Sequence, residues 1–132
     1  MIGIVIVTHR QLGDALIEAA QFIIGKKPEA LVSVSIDLNE SADVLRAKIA
    51  EGIKSVSSED GVLILTDMFG GTPSNLSYSF LEEGHIEVIS GVNLPMLVDF
   101  LLRRKDQDLD AMVERLLQRG RSSVQLLKGP GS

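Results

Sequence analysis

Two stretches of the chain are apolar without alternation, one near the N-terminus (Ile2, Ile4, Val5, Ile6, Val7) and one at Val62–Leu65. Short unbroken runs of this kind predict strands buried on both faces, as in a parallel sheet. The first strand spans about Ile2–Val7 and stops at Thr8-His9-Arg10. Apolar residues then recur at Leu12, Ala15, Leu16, Ala19 and Ile23, a helical spacing over about Gln11–Ile24, and Gly25 suits the helix C-terminus. Leu31–Ile36 alternates and predicts a second strand, more exposed than the first. After the loop Asp37–Ser41, with Asn39 or Ser41 as candidate N-cap, Val44, Leu45, Ile49, Ile53 and Val56 mark a second helix.

Ser57–Gly61 is a turn signal before the strand Val62–Leu65, which ends at Thr66-Asp67. Met68–Asn75 is a glycine-rich turn opening a third helix, with Thr72 as expected N-cap and Pro73 at the first helical position. Leu76 and Phe80 face the core in this reading, and Gly84 ends the helix. Ile86–Ile89 is the fourth strand, and Ser90–Asn93 turns into a helix beginning near Pro95. Asp106–Asp108 separates it from a last helix carrying Leu109, Met112, Val113 and Leu116 on one face, stopped by Gly120. Ser123–Leu127 is expected as a short terminal strand. Residues 1–127 therefore form one domain, and residues 128–132 a flexible tail.

Alternating strands and helices predict an α/β doubly wound, mainly parallel sheet with helices on both faces. Right-handed crossovers and a flavodoxin-like strand order 2-1-3-4 place strands 1 and 3 side by side. In such sheets ligands bind beyond the carboxyl ends of the strands, so this order brings His9 and Asp67 together at the switch point.

Composition narrows the function classes. The 132 residues suffice for one core covered on two sides, and a net charge of −5 with no basic block argues against a nucleic-acid surface. Cysteine is absent, which removes disulfides, thiolate catalysis and Cys-based metal sites. The two histidines are far apart in sequence, which argues against a metal site. The apolar N-terminus is too short to span a membrane and lacks the flanks of a signal peptide, so the chain reads as cytoplasmic. No G-x-x-x-x-G-K-[ST], no G-x-G-x-x-G after the first strand and no acidic pair follow the strands. A P-loop kinase, a dinucleotide site and a receiver domain are thereby disfavoured.

His9 reads either as a phosphoryl-accepting nucleophile or as a turn histidine bonded to backbone carbonyls. Asp67 reads as its orienting carboxylate, holding one ring nitrogen so that the other stays nucleophilic, or as a plain Asx-turn residue. Gly70-Gly71-Thr72-Pro73-Ser74 lets backbone approach a ligand and offers free N–H groups to an anion, although a simple strand-to-helix turn has the same composition. Ser90–Pro95 is a second rim loop, more economically read as a turn. His85 lies at the amino end of a strand, away from the site. Phe69 and Leu94–Leu97 read as core, with a protein-docking patch as the alternative.

The chain resembles the mannose-type enzyme IIA domain of the bacterial sugar phosphotransferase system. The similarity runs from Met1 to about Leu127 and rests on Gly3–His9, on Leu65–Asn75 and on Gly91–Leu97, in that order. The resemblance implies that His9 accepts a phosphoryl group on Nε2 from phospho-HPr and passes it to a IIB component. It implies that Asp67 pairs with the histidine, and that Thr72 with the backbone of Met68, Phe69, Gly70 and Gly71 cradles the phosphate. A homodimer exchanging the last strand, Ser123–Leu127, is implied too, with no cofactor or metal and contact with the membrane only through a IIC/IID permease. A regulatory protein whose His9 phosphorylation is read by a partner is the alternative. The phosphoryl-donor subunit of dihydroxyacetone kinase is a third, disfavoured by Phe69-Gly70-Gly71-Thr72-Pro73. One position departs from the family: Arg10 stands where glycine usually follows the histidine. A IIA domain touches only proteins, so no residue names a sugar.

Overall fold

The computed structural model describes residues 1–130. The elements are β1 (Gly3–His9), α1 (Leu12–Ile24), β2 (Leu31–Ile36), α2 (Ala42–Val56), β3 (Val62–Thr66), α3 (Thr72–Tyr78), β4 (Ile86–Ser90), α4 (Leu94–Arg103) and α5 (Leu109–Ser122). Four strands form one sheet in the order β2-β1-β3-β4, every neighbouring pair parallel, with helices on both faces. The doubly wound architecture and the order 2-1-3-4 are therefore as expected.

Strand periodicity divides the core. Ile4 and Ile6 of β1, with Leu63 and Leu65 of β3, pack against Ala20, Leu97, Phe100, Met112 and Leu116 from α1, α4 and α5. Val5 and Val7, with Val62 and Ile64, face the other way onto Leu45, Ile49, Ile53 and Leu76 from α2 and α3. Successive side chains of a strand point to opposite faces, so two helix layers require apolar residues at every position of the central strands. Gly3 permits the second layer to close: a Cβ there would lie 2.1 Å from the Val56 carbonyl oxygen at the end of α2. The edge strand β2 is only partly buried, in keeping with its alternating sequence.

Register aligns the carboxyl ends of the strands. Val7 pairs with Thr66, Thr66 with Ser90, and His9 with Ile36. Residues 9, 67 and 90–93 consequently share one edge of the sheet.

Several expected boundaries move. His9 is the last residue of β1 rather than part of the following turn, because its strand pairing with Ile36 persists. The cap of α3 is Gly71, with Thr72 already helical, and no side chain caps the helix. That helix ends at Tyr78 and not at Gly84. Phe80 and Leu81 donate to Ser77 O and Tyr78 O, a tightened turn that leads into an antiparallel bridge between Glu82 and Ile86. Gly120 does not stop α5, which runs to Ser122. A Cβ at position 120 would meet Met96 Cε at 2.5 Å, so this glycine allows α5 to lie close on α4.

Residues 123–127 form no strand, and Val124, Leu126 and Leu127 are exposed. A strand needs a ladder partner, and no strand among the described residues pairs with that segment. Of the tail expected at 128–132, residues 131 and 132 lie outside the described residues. No helix among the described residues is long and apolar enough to cross a membrane.

Candidate functional site

Strand β3 ends one residue before Asp67, and there the carboxylate takes over from the backbone ladder. The His9 backbone N–H donates to Asp67 Oδ2 at 2.9 Å, and His9 Nδ1 lies 2.8 Å from the same oxygen. Asp67 Oδ1 accepts the N–H of Met68 at 3.0 Å. An ionised carboxylate only accepts, so the shared proton sits on Nδ1, and in the neutral form of the ring Nε2 then keeps a free lone pair. The Asp67 side chain is 10% exposed and that of His9 38%, so the orienting group is shielded while the imidazole remains within reach of a partner. Burial pushes the Asp67 carboxyl up, but the His9 N–H, the ring hydrogen bond and the charge of the ring in its protonated form outweigh it and hold the pKa below the ordinary value.

The turn after His9 is fixed on both sides. Thr8 is fully buried, and its Oγ1 accepts the Gly13 N–H at 2.8 Å while donating to the Arg10 carbonyl at 3.3 Å. The Arg10 N–H donates to Ile36 O at 3.1 Å. Between these clamps Arg10 holds a left-handed backbone with φ 48°.

Gly71 closes the other flank. A Cβ there would lie 3.0 Å from His9 Cε1 and 3.6 Å from Nε2, so glycine lets this backbone lie against the ring without displacing it. Gly70, at φ 85°, makes the turn that brings it there. The N–H groups of Gly70, Gly71 and Thr72 have no acceptor among the described residues, and of the three residues Gly71 lies against the Cε1–Nε2 edge of the imidazole. Such an array is suited to the oxygens of an anion.

Behind this loop runs a chain of hydroxyls. Thr66 Oγ1 donates to Ser90 Oγ at 2.8 Å, and Ser90 Oγ lies 2.8 Å from Ser74 Oγ. The chain ties the ends of β3 and β4 to the first turn of α3. The rim loop is drawn in as well, since Gly91 and Val92 both donate to Thr66 O at 2.9 Å. The sequence places Ser90 in a rim loop and Thr8 at a strand end without indicating the hydrogen bonds their hydroxyls make. The available signal was a hydroxyl residue at or beside the end of an apolar strand.

One placement differs from expectation. Phe69 is 88% exposed and so is not core; Met68 before it is exposed as well, at 56%. Met96 and Leu97 are buried, as expected, and Leu94 is partly so. His85 is exposed at the amino end of β4, remote from the site.

Residues 3–117 match a family model described as the fructose IIA component of the phosphotransferase system (PTS). The chain is 35% identical over 129 residues to the "PTS system mannose-specific EIIAB component" of Escherichia coli (strain K12), covering 96% of this chain but only 40% of that protein. It is 32% identical over 127 residues to the "PTS system fructose-specific EIIA component" of Bacillus subtilis (strain 168), covering 96% of this chain and 86% of that one. Among solved structures, a phosphotransferase system component EIIA from Streptococcus agalactiae superposes with a TM-score of 0.84 at 27% identity, over 96% of this chain and 97% of the other.

Proposed function

Because the chain belongs to the mannose-type EIIA family of the phosphotransferase system, we propose that it carries phosphoryl groups during sugar uptake, accepting them on His9 from phospho-HPr and passing them to a IIB component. The observation that carries this reading is the double hold of Asp67 Oδ2 on the backbone and ring of His9, which leaves Nε2 free.

The transfer is an exchange of one N–P bond for another. The Nε2 lone pair attacks phosphorus in line, the donor's N–P bond breaks, and its electron pair returns to the donor imidazole. No proton has to move, because the Nδ1 proton stays on the ring, hydrogen-bonded to Asp67 Oδ2, throughout. Phosphorylation makes the ring cationic, and the adjacent carboxylate stabilises that charge. Like bonds are exchanged for like, so the barrier falls chiefly through positioning and through donors aimed at the equatorial oxygens. The free N–H groups of Gly70, Gly71 and Thr72, with the Thr72 hydroxyl, support a role in that task, and Met68 and Phe69 extend the same loop. Neither cofactor nor metal is needed.

The same reading makes the protein cytoplasmic, meeting the membrane only through a IIC/IID permease. It makes residues 123–127 an exchanged strand in a homodimer, supported by their exposed apolar side chains and by the open edge of β4.

The test is incubation with phosphoenolpyruvate, enzyme I and HPr, followed by intact mass and acid treatment. One acid-labile phosphoryl group, absent from His9→Ala, is expected. No gain from active phospho-HPr, or a gain retained in His9→Ala, overturns the assignment. Onward passage of the label to a purified IIB component separates uptake from a purely regulatory role.

A further inference from the structure

We propose that Arg10 is a phosphoryl-binding residue, its guanidinium neutralising and orienting the group carried on His9 Nε2. The inference rests on His9 being the phosphoryl acceptor.

The backbone supplies the first ground. Arg10 holds φ 48°, where a side chain costs on the order of 1–2 kcal/mol and glycine costs nothing comparable. The strain is retained at the residue directly after the nucleophile, and the bonds to Ile36 O and Thr8 Oγ1 on either side keep it there. Strain held this firmly beside a reactive group is a mark of use. It also means that arginine leaves the shape of the turn intact, so whatever it contributes lies in the side chain.

The second ground is electrostatic. Arg10 is exposed, and no ion pair among the described residues includes it. Asp67, the acidic group of the site, already has both oxygens engaged by His9 and Met68. A chain of net charge −5 repels an incoming phosphoryl dianion, and a local cation offsets that repulsion where it matters. Consecutive Cα atoms lie about 3.8 Å apart, and an arginine side chain is long enough to reach from there to a group on the neighbouring ring. Its planar fork matches two phosphate oxygens at once, which a point charge does not. An acidic partner surface is the competing target for this guanidinium, and the kinetic readout below separates the two.

Arg10→Gly and Arg10→Lys test the idea, each in a His85→Asn background so that His9 is the only histidine. Glycine suits φ 48°, so the first variant keeps its fold. The proteins are phosphorylated with potassium phosphoramidate, which needs no protein partner, and the phosphoryl group is titrated by 31P NMR. In Arg10→Gly the second ionisation should move to higher pH, and the exchange equilibrium with HPr should shift against the phosphorylated chain by about three- to tenfold. Arg10→Lys should restore part of both. An unchanged titration and equilibrium overturn the proposal, and a change confined to KM for HPr or IIB assigns Arg10 to an acidic partner instead. Should phosphoramidate label His9 while phospho-HPr does not, the carrier reading fails, yet the titration still decides Arg10. If neither reagent labels His9, both fall.

Discussion

One oxygen of Asp67, Oδ2, binds His9 twice, through the backbone N–H at 2.9 Å and ring Nδ1 at 2.8 Å, across 58 residues of chain. The backbone bond fixes where the histidine starts, and the ring bond fixes how it is turned. Together they leave the imidazole little freedom except at Nε2, so in the proposed carrier role the direction of attack would be set before any partner arrives.

Replacing Asp67 with asparagine keeps the shape but removes the charge that stabilises the phosphorylated ring. Hydrogen bonds to charged groups contribute roughly 1.5–3 kcal/mol, which corresponds to about a 10- to 100-fold fall in transfer rate. Rapid-quench transfer from labelled phospho-HPr measures it. A rate within twofold of wild type would remove the orienting role from Asp67.

The same pair makes stability depend on acid. Burial raises the Asp67 pKa, but the His9 hydrogen bonds and charge lower it further than burial lifts it. A depressed carboxyl stabilises the fold above its unfolded value of about 3.9, and the contribution is lost as pH falls through the lower folded value. Urea unfolding of wild type and Asp67→Asn should therefore differ at pH 6 and converge in strong acid. A constant difference across that range would contradict this account.

Gly71→Ala should impair the site more than the fold. The new Cβ would stand 3.0 Å from His9 Cε1, so the ring or the loop must give by a few tenths of an ångström. Transfer is expected to slow by about tenfold or more. Histidine ring shifts in NMR should move while the melting temperature changes little; a normal rate with unmoved shifts would show that the loop yields freely.

Ser90→Ala removes the middle of the hydroxyl chain, leaving Thr66 Oγ1 without its acceptor and Ser74 Oγ without its neighbour. Both residues are buried, so a loss of about 1–3 kcal/mol is expected in denaturant unfolding. Full stability in the alanine variant would mean that the pair finds other partners.

Ser77→Ala should act in the opposite direction. The Ser77 hydroxyl is buried with no partner among the described residues, and alanine is the better helix former. A gain of about 0.5–1 kcal/mol is expected by thermal unfolding, and a loss would reveal a hidden acceptor.

The apolar runs at β1 and β3, the helical spacing of α1 and α2, and Gly25 as a left-handed helix cap are readable along the chain, because each depends on neighbours within a few residues. His9 and Asp67 stand out for the same reason, as polar residues interrupting buried strands. Other features depend on what the chain meets after folding. Gly120 looks like a helix stop and is a contact with Met96, and Phe69 looks like core and stands 88% exposed at the rim. Ser123–Leu127 has strand composition, but a strand exists only where another strand supplies its hydrogen bonds. Local periodicity thus determined the elements, and the strand order they suggested is the one adopted. Whether one carboxylate oxygen grips both atoms of the histidine, and whether Gly71 lies against its ring, was decided only by the parallel register of β1 and β3, which places residues distant in sequence within hydrogen-bonding reach.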